Sequence, residues 1–206
     1  MRHSIYSRIR QNLPLNYKLT ILIPTLFSRM DRLKSLIEEL NFQIQSKPVQ
    51  ILWMGDNKSM TVGEKRNLLL ESAKGEFICF IDDDDYVHEE YIKTLLSAIE
   101  AGKEIICFEG RQTTNGKEDC PFKYDLTAGR NHKKVINGVR YKVMLPDHLC
   151  VWKKSLIVEK FPLKNLGEDH AWASAMSFHY KNEDVLYLKE TLYHYNYNKD
   201  QSECAR

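Results

Sequence analysis

Between residues 19 and 108 the sequence alternates short, continuous apolar runs with segments of helical periodicity. That order admits few folds. The run 19–24 (LTILIP) reads as a strand buried on both faces, and 49–54, 76–81 and 104–108 read as further strands. Between them, 29–45, 61–74 and 88–101 read as helices. In the first, Leu33, Leu36, Ile37, Leu40 and Ile44 recur at helical spacing. Gly75 and Gly102 are expected to end the second and third. A strand–helix alternation of this length implies an α/β protein with a mostly parallel sheet, flanked by helices and joined by right-handed crossovers.

The alternation stops after Glu109. Residues 110–147 are polar and Gly-bearing, and suggest a hairpin and a long loop. Beyond them we expect a strand at 149–152, a short helix at 155–160, a helix at 168–178 and strands at 184–188 and 191–197. The chain thus reads as one domain, with a nucleotide-binding-like half at 19–109 and a more irregular half at 110–206.

Composition narrows the function. The 206 residues are 43% hydrophobic and 28% charged, which excludes disordered and coiled-coil chains. No apolar run approaches the roughly 20 residues that span a bilayer. The first 18 residues have no apolar core, so no secretory leader is expected. The five cysteines include no closely spaced pair, which argues against zinc ribbons and thioredoxin-like chemistry. A reduced, cytoplasmic protein is expected, with contact at a membrane periphery left open. Net charge is only +2, yet between Lys123 and Lys164 ten basic residues face three acidic ones. Arg2, Arg8, Arg10 and Lys18 add more. Such a lobe is either a solvated face or one that attracts phosphates or another anion.

The chemistry concentrates in five places. FICFIDDDDY at 77–86 sets four aspartates directly after a buried strand, where ligands of parallel sheets bind. Asp82, Asp83, Asp84 and Asp85 repel one another unless a cation such as Mg²⁺ joins them. The bland alternative is an acidic cap on the next helix. Gly167-Glu168-Asp169-His170 opens a later apolar helix and admits the same two readings. Pro24 and Thr25 end the first strand, with Arg29 just beyond. Asp56 ends the second strand. The stretch GEKRNLLLESAKG, with Arg66, leads into the third. Of the histidines, His3, His88 and His132 read as solvated, His148 and His179 as half-buried or supporting groups, and His194 as a candidate ligand. Trp152 and Trp172 read as core.

In this order, strand-IPT, Asp56, GEKRN…AKGEFICFIDDDD and GEDHAW, the motifs resemble family 2 glycosyltransferases of the GT-A fold over about residues 19–202. The resemblance implies an inverting transfer of sugar from a nucleotide-diphosphate sugar, with UDP favoured, to an acceptor hydroxyl. It makes 19–109 the donor half and 110–206 the half holding acceptor and base. It puts a Mn²⁺ or Mg²⁺ ion at Asp84 and Asp82, with His194 as a further ligand, Asp83 beside them and Asp82 near the sugar or ribose. Pro24, Thr25, Arg29, Asp56 and Arg66 would surround the nucleotide. Asp169 would be the general base, with Glu168 orienting the acceptor. Gly55-Asp56-Asn57-Lys58 departs from the paired acidic motif usual in the family, Leu69 replaces a usual glycine, and in the closing segment His194, Asn198 and Ser202 compete for one role. The acceptor is expected to be a glycan, a lipid-linked sugar or another anionic molecule, with nucleic acid a remoter option. The alternatives are a nucleotidyltransferase of similar architecture and an inactive domain that binds glycans or nucleic acid.

Overall fold

The computed structural model describes residues 4–7, 16–128 and 132–198. Arg2, His3, Arg8, Arg10, Arg130, Ser202 and Cys204 lie outside them. In chain order the elements are β1 (Ser4–Ser7), β2 (Leu19–Leu26), α1 (Met30–Ile44), β3 (Val49–Asp56), α2 (Val62–Ser72), β4 (Phe77–Phe80), β5 (Tyr86–Val87) and α3 (Tyr91–Ile99). They continue as β6 (Ile105–Thr114), β7 (Lys117–Tyr124), β8 (His132–Ile136), β9 (Val139–Met144), β10 (Val151–Lys153), α4 (Glu168–Met176) and β11 (Val185–Tyr197).

β2 is buried at every position because it lies at the centre of the first half, paired in parallel with β3 on one side and β4 on the other. The chain therefore steps from β2 out to β3 and back across to β4. Right-handed crossovers then place α1 and α2 on opposite faces. α1 packs with α3, and α2 with α4. The reversal opens a crevice between the carboxyl ends of β2 and β4, where an open α/β sheet takes its ligand.

One expectation changes at the next strand. β6 does not pair with β4; β10 is inserted between them, antiparallel to both. The sheet is mixed but continuous, and its 11 strands cross both halves of the chain. Trp152 of β10 is fully buried against Trp172 of α4 at 5.1 Å, and Phe161 stacks on Trp172 at 4.6 Å, so both tryptophans are core as expected.

The stretch 110–147 is more regular than its polarity suggests. β6 and β7 form a hairpin turning at Asn115-Gly116, and β8 and β9 another turning at Asn137-Gly138. All four turn residues have positive φ, the demand of tight hairpin turns that Asn-Gly meets. The expected strands at 184–188 and 191–197 are one strand, β11, irregular near Thr191.

Two local expectations fail for tertiary reasons. Residues 155–160 are not a helix; a single 3₁₀ turn, Lys154–Leu156, gives way to extended chain. There Asn67 of α2 grips Phe161, accepting from its amide and donating to its carbonyl, both at 2.9 Å. Nor is Gly75 a left-handed cap, since α2 ends at Ser72. Gly75 is required by close packing: a Cβ there would lie 2.6 Å from the Thr20 amide nitrogen. Gly102 does have positive φ, as expected of a helix end. Among the described residues, no helix is long and apolar enough to cross a membrane.

Candidate active site

The aspartate run leaves β4 at the crevice, and its four carboxylates diverge. Asp83 is turned inward, its side chain 2% exposed. It accepts from Thr25 Oγ1 at 2.5 Å and pairs with Arg29 at 2.8 Å, which ties β4 to the end of β2. Asp85 is buried too, accepting from Tyr193 Oη and the Asn196 amide, both at 2.7 Å. Burial and the charges of Asp82 and Asp84 push its carboxyl well above the usual range.

Asp82 and Asp84 face the cleft, their side chains 24% and 19% exposed. Asp82 pairs with Arg66 at 2.9 Å and lies 3.5 Å from His148 Nε2. Burial opposes ionisation there, but Arg66 and His148 outweigh it and hold the carboxyl far below its ordinary value. Asp84 has only longer ion pairs, 3.7 Å to Arg29 and 3.9 Å to Arg32. Burial and the charges of Asp82 and Asp83, against the pull of Arg29, push it up to about 6. The cleft is therefore short of positive charge at Asp84. Among the described residues no three metal-binding side chains converge. Asp82 and Asp84 fit a hard divalent cation that takes its other ligands from phosphate and water.

α2 supplies the opposing cations on its buried face. Thr61 caps it by accepting from the Glu64 amide at 3.2 Å. Arg66 lies between the rings of Phe80 and Phe161, 5.6 Å from each. It is 3% exposed, and its Nε and Nη1 have no hydrogen-bond partner, although Nη1 is 3.5 Å from Glu168 Oε1. The neighbouring Lys65 is fully buried and holds Asp56 Oδ1 at 3.1 Å and the Thr25 carbonyl at 2.9 Å.

The second wall is the start of α4. Gly167 has φ +70°, a left-handed turn that swings the chain into the helix. Glu168 and Asp169 follow in the first turn. Burial pushes the Glu168 carboxyl up and Asp169 adds to it, while Arg66 opposes both. The segment before α4 is locked to α2, since Gly63 lies so close to the Pro162 carbonyl that a Cβ there would be 1.9 Å from its oxygen.

One cleft of about 190 Å³ brings together Pro24, Arg29, Arg66, Asp82, Asp83, Asp84, Glu168 and Asp169. Tyr195, Asn196 and Asn198 of the closing segment line it as well. Three expected residues are not on it. Thr25 is buried beneath Asp83. Asp56 is 2% exposed, committed to Lys65, Ser59 and the Met60 amide, and does not line the cleft. His194 is fixed in the β11 ladder, its Nε2 3.3 Å from Thr113 Oγ1 and its ring beside Tyr86, so it joins no ligand set with Asp82 and Asp84. Sequence reasoning did not single out Arg32, Lys65 or Tyr195, and left open the position of His148, which is buried beside Asp82. The signal for Lys65 was its neighbour: the two cations of GEKRN share one buried helix face.

The reversing sheet and the carboxylate-lined crevice are those of a GT-A protein. Residues 4–154 match the family described as Glycosyl transferase family 2, and the chain belongs to that family. EpsH of Bacillus subtilis (strain 168) is 32% identical over 148 residues, covering 65% of this chain and 41% of EpsH. The poly(ribitol-phosphate) beta-N-acetylglucosaminyltransferase TarS of Staphylococcus aureus (strain Mu50 / ATCC 700699) is 26% identical over 87 residues, covering 42% of this chain and 14% of TarS. The chain thus spans less than half the length of these relatives. In structure it is similar to S. aureus TarS residues 1–349 solved with UDP-GlcNAc, with a TM-score of 0.61 and 16% identity over 87% of this chain and 58% of that one.

Proposed function

We propose that the chain moves a sugar from a nucleotide-diphosphate sugar to an acceptor hydroxyl with inversion at the anomeric carbon. The observation that supports this most is that Asp169 and Glu168 share one cleft with Asp82, Asp84 and Arg66. UDP is the favoured nucleotide, in keeping with the UDP-GlcNAc bound by the structurally similar TarS.

Arg29 and Arg66, both on the cleft, hold the diphosphate oxygens. Asp84 and Asp82 would hold a Mn²⁺ or Mg²⁺ ion, which would supply further charge neutralisation for the departing diphosphate. Asp169 takes the proton of the acceptor hydroxyl as its oxygen bonds to the anomeric carbon and the bond to the diphosphate breaks. Glu168, fixed near Arg66, orients the acceptor. The acceptor is a glycan, a lipid-linked sugar or another anionic molecule. The exposed Lys133, Lys134 and Arg140 of the β8–β9 hairpin support an anion.

A screen of UDP-, GDP- and TDP-sugars with Mn²⁺, reading nucleoside diphosphate release, tests the proposal. One nucleotide should be released slowly, with water as acceptor. Pyrophosphate release from a nucleoside triphosphate and a sugar phosphate, with no diphosphate release, would overturn it in favour of nucleotidyl transfer.

A further inference from the structure

A second cavity, of about 430 Å³, lies in the other half of the chain and shares no lining residue with the cleft. Strand register puts it on the opposite face of the sheet. Phe122 of β7 pairs with Lys142 of β9, and both turn toward the cleft side, where they line a space with Asp82 and Asp169. Alternation along the strands turns Lys123 and Tyr141 the other way. Lys123 Nζ sits 4.7 Å over the Tyr141 ring. Lys134, paired with Tyr141 across β8 and β9, is on this face too, and Lys189 of β11 closes the wall.

The cavity holds uncommitted groups of both signs. Among the described residues the ammonium groups of Lys123, Lys134 and Lys189 make no ion pair and no hydrogen bond. Asp125 accepts from the Thr127 amide at 2.8 Å and from its hydroxyl at 2.7 Å, both through Oδ1. Glu109 accepts from Tyr141 Oη at 3.4 Å through Oε2. The second oxygen of each carboxylate is left to accept. Tyr187, 37% exposed, adds an aromatic wall and is tied through its hydroxyl to Asn182 at 3.0 Å.

Lysine only donates and an ionised carboxylate only accepts. A bare oxyanion would meet the lysines but be repelled by Glu109 and Asp125. A neutral sugar would satisfy the carboxylates and leave the lysines unanswered. A molecule with one negative group and several hydroxyls uses both sets. The volume lies within the roughly 300–1,000 Å³ of small-molecule sites.

We propose that this cavity is a second, non-catalytic site for an anionic saccharide unit, a sugar bearing one phosphate or carboxylate. The proposal goes beyond the transfer reaction and does not depend on the donor reading. Its ligand is a unit within a longer acceptor chain or a free sugar acid or sugar phosphate.

Calorimetric titration of the full chain with glucose 1-phosphate, glucuronate, glucose and inorganic phosphate, without donor or metal, tests this. One of the two charged sugars should bind about 10-fold or more tightly than glucose and than phosphate, the scale of one charge-assisted hydrogen bond. Its affinity should fall as salt rises. Lys123→Gln combined with Lys189→Gln should weaken it about 10-fold, and the salt series on wild type serves if that variant does not fold. Tetragalacturonate that binds as well identifies a unit within a chain, whereas binding of the single sugars alone identifies a free ligand. No binding of either charged sugar, glucose or phosphate binding as tightly, or an affinity indifferent to both salt and the double variant overturns the proposal.

Discussion

Replacing Asp84 with asparagine should stabilise the ligand-free protein while removing its response to metal. In the folded chain burial and the charges of Asp82 and Asp83 raise the Asp84 carboxyl from 3.8 to about 6. A carboxyl with a raised folded pKa binds its proton more tightly folded than unfolded. Its ionisation therefore destabilises the fold as pH rises from about 4 to about 6, and the full penalty remains above that. The span of about two pKa units corresponds to about 3 kcal/mol. Water at the 19% exposed side chain screens part of this, so about 1–2 kcal/mol is expected. For a chain of this size that is a rise in Tm of roughly 2–8 °C. Differential scanning calorimetry at pH 4 and pH 8 reads it: Asp84→Asn should gain at pH 8 and match wild type at pH 4. Mn²⁺ with UDP should raise the Tm of wild type and do less for the variant. An Asp84→Asn protein less stable than wild type at pH 8 would refute the charge-crowding argument.

Lys65→Met should destabilise by about 3–5 kcal/mol in denaturant titrations, because it leaves Asp56 buried without its cation. The double variant Lys65→Met, Asp56→Leu should recover much of the loss. Gly63→Ala should break the seating of the 157–167 segment on α2, since the added Cβ would meet the Pro162 carbonyl. A loss of roughly 1–3 kcal/mol and weaker nucleotide binding should appear together, the first by thermal unfolding and the second by calorimetry.

Where burial and periodicity act locally, the sequence was a sufficient guide. β2, α1 and the aspartate run after β4 lie within a few residues of where apolar runs and helical spacing put them. The insertion of β10 between β4 and β6 was not legible, because a three-residue strand has no periodicity and its partners lie tens of residues away. The two hairpins of the second half were legible in their Asn-Gly turns but were masked by the polarity of their exposed faces. At the site, the aspartates after β4 were conspicuous in the sequence as uncompensated charge following a buried strand, whereas Arg32 beside Asp84 carried no such signal. Asp56 and Thr25 were expected at the nucleotide because they end strands at the ligand edge. Which strand-end residues turn inward depends on side-chain partners such as Lys65, and no local pattern encodes those.

The most direct test of the account compares Asp169→Asn with wild type in two assays, slow nucleoside diphosphate release from the donor and UDP affinity in Mn²⁺. Asn keeps the size of the side chain and caps a helix as well as Asp does, so a purely structural Asp169 would make the change nearly silent. The account predicts release slowed by about 100-fold or more, since the proton acceptor is lost, with UDP affinity within about two-fold of wild type. Near-wild-type release by folded Asp169→Asn would contradict it.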